Sequence, residues 1–260
     1  MLIVLESILW VIRFFFGACI FSFLTVVIDR LPRGESVVNG RSHCTNCGRV
    51  LHAWELIPCV SYIFLRGRCA GCKSRIPGRD FFVEVIGGAA FIGCGIHYGC
   101  GSLGLLSMRG TVMLIYFGIL LVVALIDWDT QIIYDRFHIF ILILAIANIW
   151  LVPEHGLLDR LIGALIISVP MLLLALVIPG AFGGGDIKLM AASGAFLGTG
   201  PVVCAMFFGL LTGGAYGAFM LKSKKLGKKD VFAFGPFLAF GLALAALYGD
   251  QIVTWYLHFL

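Results

Sequence analysis

Apolar residues fill this chain in long unbroken runs, and polar residues collect almost entirely between them. The runs cover about residues 8–28, 82–96, 111–126, 137–152, 161–178, 187–197, 202–221 and 231–257. Most approach the roughly 20 residues that an α-helix needs to cross a bilayer. The pattern therefore predicts an all-α polytopic membrane protein of about eight transmembrane helices. Only one polar interval, residues 29–80, is long enough to form a domain of its own. Three parts follow: a first transmembrane helix over 1–28, a small polar domain over 29–80, and a helical bundle over 81–260. Short turns separate the later runs, among them Asp127–Arg136 and Gly198–Pro201.

Composition agrees with the pattern. Of 260 residues, 60% are hydrophobic and only 13% charged, against roughly a quarter charged in soluble domains. Mean hydropathy is +1.03. The N-terminus lacks a basic stretch and a small-residue cleavage site, so it reads as an uncleaved first span. Net charge is +5, but its distribution matters more. Nine of nineteen Lys and Arg lie between Arg30 and Arg79, and five Lys between Lys222 and Lys229. Neither cluster interleaves aromatic residues, so nucleic acid is not an expected partner; the lipid bilayer is. Basic residues favour cytoplasmic loops. That places the 29–80 domain, the Asp127–Arg136 turn and the Lys cluster in the cytoplasm, with the N-terminus outside. The opposite loops hold little basic charge beyond Arg109 and Arg160.

Candidate chemistry begins with Gly183-Gly184-Gly185-Asp186 at the start of an apolar run. An ionisable group at that depth is costly and points to a functional site. Gly183 and Gly185 would permit unusual turns and close approach. Asp186 would sit at the positive end of the helix that follows. Asp127, directly after another apolar run, is its candidate partner, brought back to the same membrane face by two intervening spans. Asp129 and Asp135 read as a solvated rim. Two carboxylates sharing a desolvated site cannot both stay ionised cheaply. One can then act as base and the other as acid, as in aspartic proteolysis. A cation or proton relay in a transporter would use the same pair. Lys188 is a charge partner or a snorkelling side chain. Glu84 is a helix-start carboxylate or a substrate-facing group.

Cys44-Thr45-Asn46-Cys47 and Cys69-Ala70-Gly71-Cys72 give CxxC twice, twenty-one residues apart. That spacing predicts a tetrahedral four-cysteine zinc site, structural because four thiolates leave no open position. The cytoplasmic placement argues against stable disulfides. The remaining cysteines read as small apolar fillers.

Taken together, these pieces resemble the bacterial type IV prepilin peptidases, membrane aspartic peptidases of the GxGD type. The resemblance rests on Ser22–Ile28 before Arg30-Leu31-Pro32, and on the double CxxC. It extends through Ala53–Pro58, Arg66-Gly67-Arg68-Cys69, Asp127, the Asp186 motif and Phe234-Gly235-Pro236-Phe237. It implies Asp127 and Asp186 as catalytic residues, and an enzyme of the bacterial inner membrane acting at its cytoplasmic face. The implied substrates are type IV prepilins or type II secretion pseudopilins, whose basic leader is removed. Methylation of the new N-terminus with S-adenosylmethionine is implied as well; no GxGxxG unit supports it independently. Glu55, Asp80 or Glu84 would receive the basic leader. Two positions depart from the family pattern. Tyr134 stands where Pro is usual, which is expected to alter the turn after Asp127, and Phe21 stands where Gly is usual.

Overall fold

The computed structural model describes residues 2–101, 105–153, 155–178, 180–223 and 232–259. Most of the Lys cluster between Lys222 and Lys229 lies outside the described residues. The described residues form helices joined by short turns, and they divide into two compact units, Met1–Leu114 and Ile115–Leu260.

In the first unit, α1 (Leu2–Arg30) packs against α3 (Gly78–Tyr98), with the short α2 (Val60–Phe64) between them in sequence. The pair approaches closely because small residues face each other. A Cβ on Gly87 would collide with Phe21, and one on Gly17 with the Gly87 carbonyl. Small residues at such crossings gain dispersion contact where lipid offers no hydrophobic drive between helices. Phe21, only 1% exposed, is thus accommodated because the residue facing it is glycine. An Arg79–Asp29 ion pair ties the start of α3 to the end of α1.

The second unit is built around α8 (Gly184–Leu197). It touches α5 (Asp135–Leu151), α6 (Leu157–Ile166), α7 (Ser168–Val177), α9 (Thr199–Lys222) and α10 (Gly235–Leu257). Leu189, Met190 and Phe196 on α8 are fully buried. A Cβ on Gly163 of α6 would lie 2.6 Å from the Gly194 carbonyl of α8, so these two backbones run in near contact. α4 (Met108–Thr130) begins in the first unit and ends in the second. Helices α6 and α7 form one apolar stretch interrupted at Ile167. Pro170 explains the break, since it cannot donate to Ile166 and its ring crowds that carbonyl.

Arg160 was expected to be a loop charge. It is instead only 3% exposed, inside α6. Its guanidinium donates to the carbonyls of Asn148, Val152, His155, Ala195 and Phe196 at 2.8–3.3 Å. Four of these carbonyls lie at the C-terminal ends of α5 (Asn148, Val152) and α8 (Ala195, Phe196), where helices run out of intrahelical donors, and His155 lies in the turn leading into α6. One buried cation satisfies both helix ends and pins α8 to its neighbours.

Among the described residues, six helices are long and apolar enough to cross a membrane. The predicted count of eight is therefore not established, although every predicted run contains a helix. The two that fall short are α5, with 17 residues, and α8, with 14. At about 1.5 Å per residue, α8 extends roughly 21 Å against a hydrocarbon core of about 30 Å. The 198–201 turn is also narrower than expected. Gly198 alone breaks the chain, at φ +90°, and Pro201 lies inside the first turn of α9, where a missing N–H is harmless.

Candidate active site and cysteine cluster

Asp127 was expected just beyond the end of a helix. It lies instead in the last turn of α4, which continues to Thr130. No glycine or proline interrupts Asp127–Thr130, so the helix outruns its apolar stretch. It stops at Gln131, which takes a left-handed φ of +56° while donating to the Asp127 carbonyl at 2.8 Å. The Asp127 side chain is 5% exposed. Its Oδ2 accepts the Gly235 N–H at 2.9 Å, a contact spanning 108 residues of sequence. Gly235 opens α10, followed at once by Pro236. The carboxylate therefore faces the positive end of another helix. A Cβ on Gly235 would come within 2.6 Å of Asp127 Oδ2, so only glycine admits this approach.

Asp186 is third in α8 and 8% exposed. Its Oδ2 reaches back to the N–H of Gly183 at 3.3 Å, the carboxylate half of a capping box. Its Oδ1 is buried with no hydrogen-bond partner among the described residues. Buried polar atoms are nearly always bonded, so this oxygen marks where a water or ligand would be met. Asp127 lies near enough to act electrostatically on Asp186. The two aspartates thus come from the last turn of α4 and the first turn of α8.

The supporting residues separate on inspection. Gly183 has an ordinary extended conformation, φ −71° and ψ 145°, so no unusual turn is needed there. Gly185 is required for packing: a Cβ would lie 2.8 Å from Cβ of Ile133. Lys188 turns away from Asp186 and donates to Asp135 Oδ1 at 2.7 Å, with both side chains exposed. That pair holds the Asp135 carboxyl below the usual carboxylate range. Asp129 is exposed, as a rim residue would be. Tyr134 precedes α5 at φ −74°, ψ 134°, values that a proline would adopt. Tyr134 thus holds the turn in a proline-like shape.

An aromatic wall was not anticipated. Tyr216 stacks obliquely near Trp128, Phe232 and Phe237, with centroids 5.1–5.7 Å apart. Phe234, adjacent to Gly235, meets Phe182 at 6.0 Å. The Phe234–Phe237 segment was visible in sequence, but nothing there indicated that its glycine amide binds Asp127.

Glu84 belongs to the first unit. It is in the second turn of α3, where its oxygens accept the Ser22 hydroxyl at 2.8 Å and the Cys59 N–H at 2.7 Å. Glu55 is unsuited to receiving a leader. Its side chain is 2% exposed, bonded to Arg49 at 2.5 Å and to the His52 N–H at 2.8 Å. The Arg49 guanidinium holds it below the usual carboxylate range.

The four cysteines of the polar domain converge. The sulfurs of Cys44, Cys47, Cys69 and Cys72 all lie within 4.8 Å of one another. Two similar turns present them. The Cys44 N–H bonds the Arg49 carbonyl and Gly48 bonds back to Cys44. Likewise the Cys69 N–H bonds Ser74, and Lys73 bonds back to Cys69. The residue after each CxxC is left-handed, Gly48 at φ +68° and Lys73 at +59°. Cys44 Sγ and Cys72 Sγ are 3.8 Å apart. A tetrahedral zinc with Zn–S near 2.3 Å requires S···S of about 3.8 Å, so the residues fit that ion. The Ser74 hydroxyl brings the Cys72 thiol down to about 5, which favours the thiolate that binds metal.

Comparison with known proteins identifies the chain. The bacterial peptidase A24 N-terminal domain matches residues 15–98, and the type IV leader peptidase family matches residues 114–218. A prepilin leader peptidase/N-methyltransferase of Bacillus subtilis (strain 168) is 33% identical over 246 residues, covering 95% of this chain and 97% of that protein. The chain belongs to the type IV leader peptidase family. Relatives of the same name from Pseudomonas putida and Pseudomonas aeruginosa are 30% and 31% identical. They cover 91% and 94% of this chain, and 89% and 91% of their own lengths. The resemblance read from the motifs is borne out. No solved structure matches the chain.

Proposed function

We propose that this peptidase is a membrane-embedded aspartic endopeptidase, with Asp127 and Asp186 as its catalytic pair. The observation that carries the reading is the buried pair itself. Two buried carboxylates from separate helices lie within electrostatic reach, each is anchored through one oxygen to a backbone N–H, and one oxygen of Asp186 has no partner among the described residues. One carboxylate removes a proton from the attacking water, and the other, protonated, delivers one to the leaving amine. The protons belong to the pair rather than to either residue.

The family match favours this reading over an ion relay. The names of its relatives support prepilins as substrates; the motif resemblance extends the reading to type IV prepilins or pseudopilins, with a basic leader removed at the cytoplasmic face of the inner membrane. N-methylation with S-adenosylmethionine accompanies cleavage. The basic domain faces the cytoplasm and carries one structural zinc on Cys44, Cys47, Cys69 and Cys72. Asp80, at the start of α3, replaces Glu55 as the acid proposed to meet the leader.

The test is cleavage of a purified prepilin by the detergent-solubilised or liposome-reconstituted protein. Asp127→Asn and Asp186→Asn each keep the shape of the site and remove the charge. Each is expected to lower the single-turnover rate by about 100-fold or more, with the thermal midpoint preserved. Unchanged cleavage by either variant would exclude the pair and direct attention to Asp129.

A further inference from the structure

In the first unit, where α3 begins, Tyr62, Arg66, Gly67, Arg68, Arg75 and Gly78 are among the residues lining an open cleft of about 640 Å³. Three arginines are among its lining residues and, among the described residues, no acid is. Other arginines of this domain are engaged: Arg30 with the carbonyls of Ser36 and Asn39, Arg49 with Glu55, Arg79 with Asp29. Arg66, Arg68 and Arg75 make no side-chain hydrogen bond or ion pair among the described residues. The floor of the cleft is built rather than incidental. The Tyr62 ring stacks on Phe81 with centroids 4.9 Å apart. Its hydroxyl would lie 2.9 Å from a Cβ on Gly67. Gly67 itself is at φ +65°, next to Arg66 at +53°.

Beside the charged cleft stand apolar side chains facing outward. Ile63 and Phe64 on α2 are 63% and 80% exposed, and Phe82 on α3 is 64% exposed. Phe82 approaches Gly78 at the edge of the cleft. Since α3 from Gly78 onward is long and apolar enough to span a membrane, the cleft opens at a membrane border. Unpaired arginines above exposed apolar side chains match a molecule with an anionic head and an acyl body.

We propose that the Arg66, Arg68 and Arg75 cleft binds the phosphate of an anionic phospholipid, whose acyl chains lie along Ile63, Phe64 and Phe82. The inference rests on the membrane placement of the chain and not on the aspartate mechanism. Bound lipid would neutralise part of a basic domain that otherwise repels cations.

The full chain in detergent, titrated with phosphatidylglycerol or phosphatidylcholine and followed by native mass spectrometry, tests this. Wild type is expected to retain phosphatidylglycerol preferentially. Arg66→Gln/Arg68→Gln/Arg75→Gln should weaken that binding by about tenfold or more. Arg33→Gln/Arg41→Gln/Lys222→Gln, which removes equal charge elsewhere, should stay within about twofold of wild type. Equal loss in both triple variants, no preference in wild type, or displacement of the lipid by millimolar inorganic phosphate would each overturn the proposal. Should the first triple variant lower the thermal midpoint, Arg68→Gln alone carries the test, with a loss of about twofold expected and unchanged binding counting against the site.

Discussion

The cysteine cluster and the aspartate pair are assembled by opposite means. The cysteines come from two short turns, each closed by backbone bonds spanning five residues, and Cys47 and Cys72 remain exposed. The aspartates are buried, and Asp127 is held by an amide 108 residues away. The cysteine domain has little core to hold it, so a bound ion would supply its stability. In the second unit, the apolar surface buried around α8 fixes the carboxylates. The first site is local chemistry suited to an ion, and the second is produced by helix packing.

Removing the ion should separate the two most sharply. One zinc per chain is expected by elemental analysis. A strong chelator should melt the 29–80 domain while helicity in the bundle persists, because structural zinc in small domains contributes on the order of 10 kcal/mol. Stoichiometric absence of zinc, or no change on chelation, would break the comparison on that side.

Gly235→Val probes the other. It adds bulk where even a Cβ would sit 2.6 Å from Asp127 Oδ2. Cleavage is expected to fall about 100-fold, with zinc content unchanged. Retained activity would show that the Gly235 amide does not position Asp127.

The Arg49–Glu55 pair gives a smaller, pH-dependent effect in the cysteine domain. Glu55 is lowered in the folded state relative to an unfolded value of about 4.3. Its contribution is therefore complete above that value and is lost as pH falls through the folded pKa. Between about pH 5 and 3, the thermal midpoint of wild type should fall more steeply than that of Glu55→Gln. Parallel curves would exclude the pair as a source of acid sensitivity.

The smallest effect concerns backbone strain. Lys73 is left-handed at φ +59°, where the equivalent turn uses Gly48. Lys73→Gly should raise the stability of the domain by up to about 1 kcal/mol, since a side chain costs roughly 1–2 kcal/mol in that conformation and glycine's added chain entropy offsets part of it. A lower midpoint would mean that Lys73 contributes through its side chain.

Much of this was legible beforehand because its signals are periodic or local. Apolar runs mark helices whatever their neighbours, and CxxC spacing brings two thiolates to one turn. The Asp186 motif also announced itself, as a charge at the edge of an apolar run. Helix length misled, because apolar composition does not distinguish a full span from α8, a short helix buried by other helices. Asp127 was placed past its helix because hydropathy, not backbone bonding, set the boundary.

Sequence alone therefore determined membrane character, the family and the cysteine set, and singled out both aspartates as candidates, all of which depend on residue type and spacing. Tertiary structure decided what those residues touch. It made Arg160 a buried clamp on two helix ends instead of a loop charge. It turned Lys188 toward Asp135, engaged Glu55 and Glu84 within the first unit, and gave Asp127 the Gly235 amide. The reason is geometric: a hydrogen-bond partner 108 residues away leaves no periodic trace in the chain. It exists only once packing has brought the two backbones together.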